Sequence, residues 1–156
     1  MATTIDSTDN NSIEYVTVTI EEQLFGLPIS RVQDVFVPDR LTQVPLAPPE
    51  IAGVLNLRGR IVTAIDMRRR LGLGHRDGKV PAIAVGIELK GESYGLLVDA
   101  VGEVLRLAKD GCESKPVNLD ERLAEVMSGV YRLDGQLLVV LDVDRVFDNG
   151  SVAMAA

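Results

Sequence analysis

The chain has 156 residues, of which 46% are hydrophobic and 4% aromatic, and its formal net charge is −7. This length fits one compact unit, and the acidic balance argues against a general nucleic-acid binder, which needs a basic stripe for phosphates. Cys112 and His75 are the only cysteine and histidine, which excludes an internal disulfide, a multi-cysteine zinc site and a histidine-based metal site. We therefore predict no catalytic residue, no metal site and no cofactor.

The first third of the chain predicts strands joined by turns. Polar residues 1–12 predict a disordered leader without the features of a signal peptide. Alternating β-branched residues predict a strand over 15–20, and a second strand returns over 24–27. The apolar spacing of residues 29–36 fits either a helical turn or a strand. The four prolines within 38–49 then predict an extended connection.

The rest of the chain predicts three hairpins and short helices. The hairpins are 53–66 with its turn at Arg58-Gly59, 83–98 with its turn at Lys90-Gly91, and one that turns at Asp134-Gly135 and returns over 136–143. Short helices are expected over 67–71, 119–127 and 144–147, and a Gly-rich linker over 72–78. No apolar run reaches the length of a membrane span, so we expect a soluble, cytoplasmic protein.

The sequence repeats itself. Gly53–Asp66 recurs without a gap 76 positions later as Gly129–Asp142, and Phe25–Val35 recurs 69 positions later as Tyr94–Val104. This A-B-A′-B′ order predicts two copies of one β unit. The expected fold class is all-β with short helices, arranged as two small barrels.

The expected organisation is a single domain over 13–150, with a flexible C-terminus over 151–156. Its first repeat spans about 14–72 and its second about 80–147, and an exchange of strands between them stays open. Because a unit of roughly 70 residues is marginally stable alone, we expect the copies to share a buried interface.

The two copies differ where their last hairpins turn. Arg58 and Asn56 of the first copy correspond to Asp134 and Arg132 of the second. Asp-Gly is a favourable hairpin dipeptide, whereas Arg is a poor turn former. Arg58 is therefore either an ordinary exposed charge or a planar anchor at a protein interface, with Asp34 as the partner that orients it.

Two further sets of charges have structural interpretations. Asp66 and Asp142 occupy equivalent strand ends and are predicted to cap the helices that follow. Arg68-Arg69-Arg70 predicts either a solvated face or a contact with an acidic partner.

The repeated motifs together resemble the CheW-like family of bacterial chemotaxis coupling proteins, over a span from about Tyr15 to Phe147. The motifs that carry the resemblance are Phe25-Gly26-Leu27-Pro28-Ile29, Ala47-Pro48-Pro49, Gly53-Val54-Leu55-Asn56-Leu57-Arg58-Gly59, Ile65-Asp66-Met67-Arg68, Tyr94-Gly95-Leu96-Leu97-Val98-Asp99 and Leu133-Asp134-Gly135. The resemblance implies two intertwined five-stranded SH3-like β-barrels around a third, shared core.

The same resemblance implies a non-enzymatic adaptor that joins the cytoplasmic tips of chemoreceptors to the regulatory domain of the histidine kinase CheA. It implies recruitment to membrane-associated receptor arrays, without membrane insertion and without nucleic acid. The implied receptor-binding residues are Val32, Asp34, Gly53, Asn56 and Arg58. The implied kinase-binding residues are Val104 and Leu105. The alternatives are an adaptor for pili or another non-swimming output, and a small barrel that binds oligonucleotides or oligosaccharides.

Overall fold

The structure is a computed structural model, and it describes residues 11–38, 40–73, 82–114 and 121–147. Most of the expected leader, most of the expected linker with His75, Leu119 and Asp120 of the expected second helix, and the expected flexible C-terminus lie outside these residues.

The described residues form two five-stranded sheets. Their ten strands are β1 (Ser12–Ile20), β2 (Gln23–Pro28), β3 (Val32–Phe36), β4 (Ile51–Leu57), β5 (Arg60–Asp66), β6 (Ile83–Leu89), β7 (Glu92–Val98), β8 (Ala100–Ala108), β9 (Met127–Leu133) and β10 (Gln136–Leu141). Three short helices accompany them: α1 (Met67–Arg70), α2 (Glu121–Val126) and α3 (Val143–Val146).

Both sheets mix strands from the two sequence repeats. Sheet A has the order β8-β1-β2-β10-β9, and sheet B has the order β3-β6-β7-β5-β4. Each sheet thus takes one hairpin from one repeat and three strands from the other. The parallel pairs β2–β10 and β5–β7 join the repeats in the middle of each sheet. The repeats are therefore units of sequence, whereas the sheets are the units of packing.

The predicted hairpins are present, with small differences at their ends. Residues 29–36 form a 3₁₀ turn over Ile29–Arg31 followed by β3, whereas the corresponding stretch of the second repeat enters β8 without a helical turn. Strand β10 ends at Leu141, two residues before the predicted end. The reason is that Asp142 begins α3: its side chain accepts hydrogen bonds from the backbone N–H groups of Asp144 and Arg145.

The described residues form three hydrophobic clusters. Small core A lies inside sheet A, with Tyr15, Tyr131, Leu138 and Val140 as its buried members. Small core B lies inside sheet B, with Leu55, Val62, Ala64, Ala84 and Leu97. A larger shared core is formed by side chains on the opposite faces of strands from both sheets. Because successive strand residues point to opposite faces, one strand serves a small core and the shared core at once. This confirms the expected architecture.

The arginines after β5 are not a solvated face. Asp66 caps α1 as predicted, since its Oδ1 accepts from the N–H groups of Arg68 and Arg69 at 3.1 and 3.4 Å. Arg70, however, is 5% exposed and donates to the backbone carbonyl of Val146 at 2.7 Å.

Arg68 is half-buried, with 15% of its side chain exposed. Its Nε and Nη2 donate to the two carboxylate oxygens of Asp99 at 3.1 and 2.6 Å. That hydrogen bonding raises the pKa of the Arg68 guanidinium above its ordinary value. The prediction of a solvated face is therefore wrong for Arg68 and Arg70, whose partners lie on distant segments of the chain.

Candidate functional site at the hairpin end of sheet B

The turn between β4 and β5 holds Arg58 in an unfavourable backbone conformation. Its φ is 54°, and Gly59 follows with a φ of 84°. The left-handed region costs an L-residue with a Cβ about 1–2 kcal/mol, and Asn, Asp or Gly occupy it with least strain. The Oδ1 of Asn56 stabilises the turn by accepting a hydrogen bond from the N–H of Gly59 at 2.9 Å. Asn56, a predicted receptor contact, thus already supports the turn through its amide oxygen.

Arg58 is paired with Asp34, as the sequence suggested. The Nη1 of Arg58 lies 3.7 Å from the Oδ2 of Asp34, and the two side chains are 78% and 35% exposed. These residues belong to opposite edges of sheet B, because β3 and β4 are its outermost strands. The sheet therefore curves enough for the Arg58 side chain to reach from the β4–β5 turn to β3. An ion pair this exposed adds little stability, so its main effect is to orient the guanidinium.

The guanidinium of Arg58 keeps its donors available. Among the described residues, the pairing with Asp34 is its single polar contact, and at 3.7 Å it is longer than a hydrogen bond. An arginine offers five N–H donors in a planar fork that suits carboxylates and carbonyl groups. The site can therefore accept an oxygen-rich partner without first breaking a strong internal bond.

A small cavity of about 50 Å³ lies beside the pair. Its walls combine polar residues, among them Gln33, Asp34, Arg58 and Arg60, with apolar residues, among them Phe36, Leu57, Val62 and Tyr94. Sites for drug-sized ligands occupy about 300–1,000 Å³. A cavity this small fits one side chain of a partner protein better than a small-molecule substrate.

Val32 and Gly53 have structural duties near this site. Val32 is half-buried and packs against the shared core. A Cβ on Gly53 would lie 2.8 Å from the backbone oxygen of Thr42, at a φ of +154°. That approach is needed because Thr42 forms a β-bridge with Val54. Asp34, Asn56 and Arg58 therefore form one connected site, whereas Gly53 mainly allows the chain to pass close to β4. Receptor contact by all five residues stays a prediction.

The predicted kinase-binding residues lie on the other sheet. Val104 and Leu105 belong to β8, an edge strand of sheet A. Val104 is 46% exposed, and Leu105 is half-buried opposite Tyr15. This edge strand presents an exposed valine, and an edge strand is a common place for docking another protein. Kinase contact by these two residues stays a prediction.

Sequence reasoning missed Gly86. This residue is in the middle of β6 and directly opposite Asp34, and it lines the same cavity. The available signal was a glycine within the apolar strand Ala84-Val85-Gly86-Ile87, because such a glycine indicates a close approach by another group.

Nothing in the described part of the chain resembles a reaction centre. No cluster of metal-ligating side chains occurs among these residues. Burial raises the pKa of the half-buried Cys112 thiol, which disfavours the thiolate that a nucleophile needs. None of the helices in the described ranges has the length and apolar character of a membrane span.

The fold and the site together define a binding scaffold built from two related β-sheets. A family model for the CheW-like domain matches residues 14–151, and the chain belongs to that family. Its role is that of a non-catalytic chemotaxis scaffold. The chain is 28% identical to a chemotaxis protein CheW of Thermotoga maritima over 89% of this chain and 90% of that protein.

Two further comparisons agree. A chemotaxis protein CheW of Rhizobium meliloti is 27% identical over 88% of this chain and 89% of its own length. The crystal structure of the scaffolding protein TtCheW from Thermoanaerobacter tengcongensis is similar with a TM-score of 0.78 and 28% identity, over 89% of this chain and 94% of that one.

Proposed function

We propose that this protein couples chemoreceptors to the histidine kinase CheA, with the receptor tips bound at the Arg58 site and the CheA regulatory domain bound at the β8 edge. Such binding recruits the protein to receptor arrays at the cytoplasmic face of the membrane. The observation that carries the proposal is the exposure of Arg58, at 78%, beside Asp34 at the hairpin end of sheet B, where its guanidinium makes no hydrogen bond shorter than this ion pair to the described residues.

The Arg58 site has the properties of a small recognition surface. Arg58 shares its left-handed backbone conformation with Lys90 of the β6–β7 turn, so the case for recognition rests on its exposed guanidinium and its place beside Asp34. Arginine is enriched among residues that dominate protein interfaces, and its loss there costs about 2 kcal/mol or more of binding. Acidic or carbonyl oxygens on the receptor would bind the guanidinium, and one receptor side chain would enter the adjacent cavity.

The two proposed surfaces lie on different sheets, which favours simultaneous binding. Arg58 is at the turn end of sheet B, and Val104 is on an outer strand of sheet A. Small interfaces between signalling proteins are typically weak and transient. In an array, linked contacts raise the overall avidity without strengthening any one of them.

Calorimetric titration of the purified protein tests the assignment of surfaces. We expect Val104→Asp to weaken binding of the CheA regulatory domain at least tenfold and to leave binding of a receptor-tip fragment unchanged, because a charge would enter an apolar contact. Val35→Asp is the matched control for placing a charge on an edge strand, because Val35 occupies the corresponding position of β3 and is also 46% exposed. An equal loss of affinity for both partners in a folded Val104→Asp protein would contradict the proposal that they bind separate surfaces.

A further inference from the structure

Asp34 and Gly86 face each other across the β3–β6 pair. They are register partners, just after a bulge between Val32 and Asp34. A Cβ built on Gly86 would overlap the Oδ1 of Asp34, and it would lie 3.4 Å from the Asp34 Cγ. The Asp34 carboxylate therefore occupies the space that a side chain at position 86 would need.

The backbone at Gly86 does not itself require glycine. Gly86 is not among the glycines of positive φ, and it lies inside a regular strand between the fully buried Val85 and Ile87. A glycine within a strand weakens it, because it orders a flexible backbone and contributes no packing. The side chain of Asp34 is the group within 4 Å that a Cβ would disturb most.

The other sheet shows that the fold accepts a side chain here. The position that corresponds to Gly86 is Thr17 of β1, and the position that corresponds to Asp34 is Glu103 of β8. The hydroxyl of Thr17 donates to the backbone oxygen of Glu103 at 2.7 Å. Sheet A thus fills the space with a hydroxyl, and the same sheet carries Asp134 in place of Arg58.

We propose that Gly86 is a positioning residue for the receptor site: its missing side chain lets the Asp34 carboxylate lie across β6 and hold the Arg58 guanidinium toward the partner. This inference rests on the proposed function of the Arg58 site. It identifies a residue that acts through the Asp34 carboxylate and not through a side chain of its own.

A double-mutant cycle tests the positioning without any partner. The full chain is compared with Gly86→Ala, Asp34→Ala and the double variant by urea and thermal unfolding. We expect Gly86→Ala to lower the unfolding midpoint when Asp34 is present and to raise or preserve it when residue 34 is Ala, because the clash is then gone. The same midpoint shift in both backgrounds would overturn the proposal.

Receptor binding provides the functional readout. We expect Gly86→Ala to lower the affinity for the receptor-tip fragment about tenfold, and Asp34→Ala to lower it by a similar factor. The double variant should bind no more weakly than Asp34→Ala. The affinity for the CheA regulatory domain stays unchanged. Gly95→Ala is the matched control, because Gly95 pairs with Gly86 and a Cβ there would meet its neighbours at 3.4–3.5 Å. Full receptor affinity in Gly86→Ala, together with loss in Asp34→Ala, would also overturn the proposal.

Arg58→Ala distinguishes a failure of the proposed receptor site from a failure of the positioning role of Gly86. Retained receptor affinity in Arg58→Ala would overturn the proposed function of that site. The unfolding cycle would still decide whether Gly86 positions Asp34, because it does not depend on any partner.

Discussion

The two sheets have corresponding strands but differently filled interiors. Small core A contains Tyr15 and Tyr131, whose rings pack edge-to-face at 5.6 Å between centroids, and Leu138. The corresponding positions of small core B carry Ala84, Leu55 and Val62. Sheet B therefore has the smaller side chains, and the cavity of about 50 Å³ opens between its strands. A filled sheet contributes mainly to the fold, whereas an underfilled one retains room for a partner's side chain.

The two sheets also differ at the positions that form the Arg58 site. Sheet B combines Arg58, Asp34 and Gly86, where sheet A has Asp134, Glu103 and Thr17. Features that both repeats need for folding are identical, among them the capping residues Asp66 and Asp142. The two copies therefore share the scaffold and differ at the surface, where we propose that different partners bind.

The largest effect on stability is expected from the buried ion pair of Arg68. Its side chain and that of Asp99 are 15% and 12% exposed. Arg68→Ala removes both guanidinium hydrogen bonds from a poorly solvated Asp99 carboxylate and should cost about 3 kcal/mol of unfolding free energy. At about 2–4 °C per kcal/mol, the thermal midpoint should fall by about 6–12 °C.

A second ion pair between the repeats supplies the control for this prediction. Asp144 corresponds to Arg68, and it pairs with Arg31 at 3.2 Å with the charges reversed. The side chains of Arg31 and Asp144 are 31% and 65% exposed. Arg31→Ala should therefore cost less than about 1 kcal/mol in the same urea titration. Equal costs for the two arginines would contradict the importance of burial.

The largest effect on signalling is expected from Arg58. Arg58→Ala should lower receptor affinity about 30-fold, which corresponds to about 2 kcal/mol, and receptor-coupled kinase activity should collapse. Its thermal midpoint should stay within a few degrees, because the side chain is 78% exposed. Arg58→Lys should rescue only partly, since an ammonium lacks the planar fork.

The corresponding turn of sheet A is the control for Arg58. Asp134→Ala should leave receptor binding and kinase activation near the wild-type level when both variants are assayed with CheA and receptor-containing membranes. A large loss of thermal midpoint in Arg58→Ala would instead show that its pair with Asp34 holds the edges of sheet B together.

Local chemistry explains how much of the fold was predictable. Hairpins are visible in the sequence because dipeptides such as Lys90-Gly91 and Asp134-Gly135 mark turns between β-branched runs. The caps Asp66 and Asp142 were predictable for the same reason, since a cap acts on residues two and three positions away. The exchange of strands was left open, because the repeats do not reveal which copy completes each sheet.

Long-range contacts explain what was misjudged. Arg68 lies 31 positions from Asp99, and Arg70 lies 76 positions from the carbonyl of Val146. No local pattern indicates such partners, so three adjacent arginines looked like a solvated face. The Arg58–Asp34 pair was predictable because the difference between the repeats isolated Arg58. Gly86 was missed because its meaning depends on the side chain across the strand pair.

An intermediate loss of stability is expected at two corresponding glycines. A Cβ at Gly53 would lie 2.8 Å from the backbone oxygen of Thr42, and a Cβ at Gly129 would lie 2.9 Å from that of Glu113. Both glycines adjoin a β-bridge in their own sheet. Gly53→Ala and Gly129→Ala should each cost about 2 kcal/mol, measured by urea unfolding. Loss of receptor binding in Gly53→Ala without any loss of stability would instead identify Gly53 as a direct contact.

The smallest effect, and one confined to sheet A, is expected from Tyr131 at alkaline pH. Burial, and then the hydrogen bond with the hydroxyl of Tyr15 at 3.4 Å, raise the pKa of Tyr131. The folded state therefore keeps this proton while the unfolded chain releases it near pH 10. The resulting stabilisation is complete below about pH 10 and is lost as the pH rises through the folded-state pKa.

Tyr131→Phe should cost about 1 kcal/mol at pH 7, because it leaves the buried Tyr15 hydroxyl without that partner. Between about pH 9 and pH 11, its unfolding midpoint should fall less steeply than that of the parent, since residue 131 no longer titrates. A Cys112→Ala background removes the nearby thiol, whose pKa is also raised by burial. Parallel plots of unfolding midpoint against pH for the two proteins would show that ionisation of Tyr131 does not contribute to the pH dependence of stability. Small core A would then differ from small core B in packing alone.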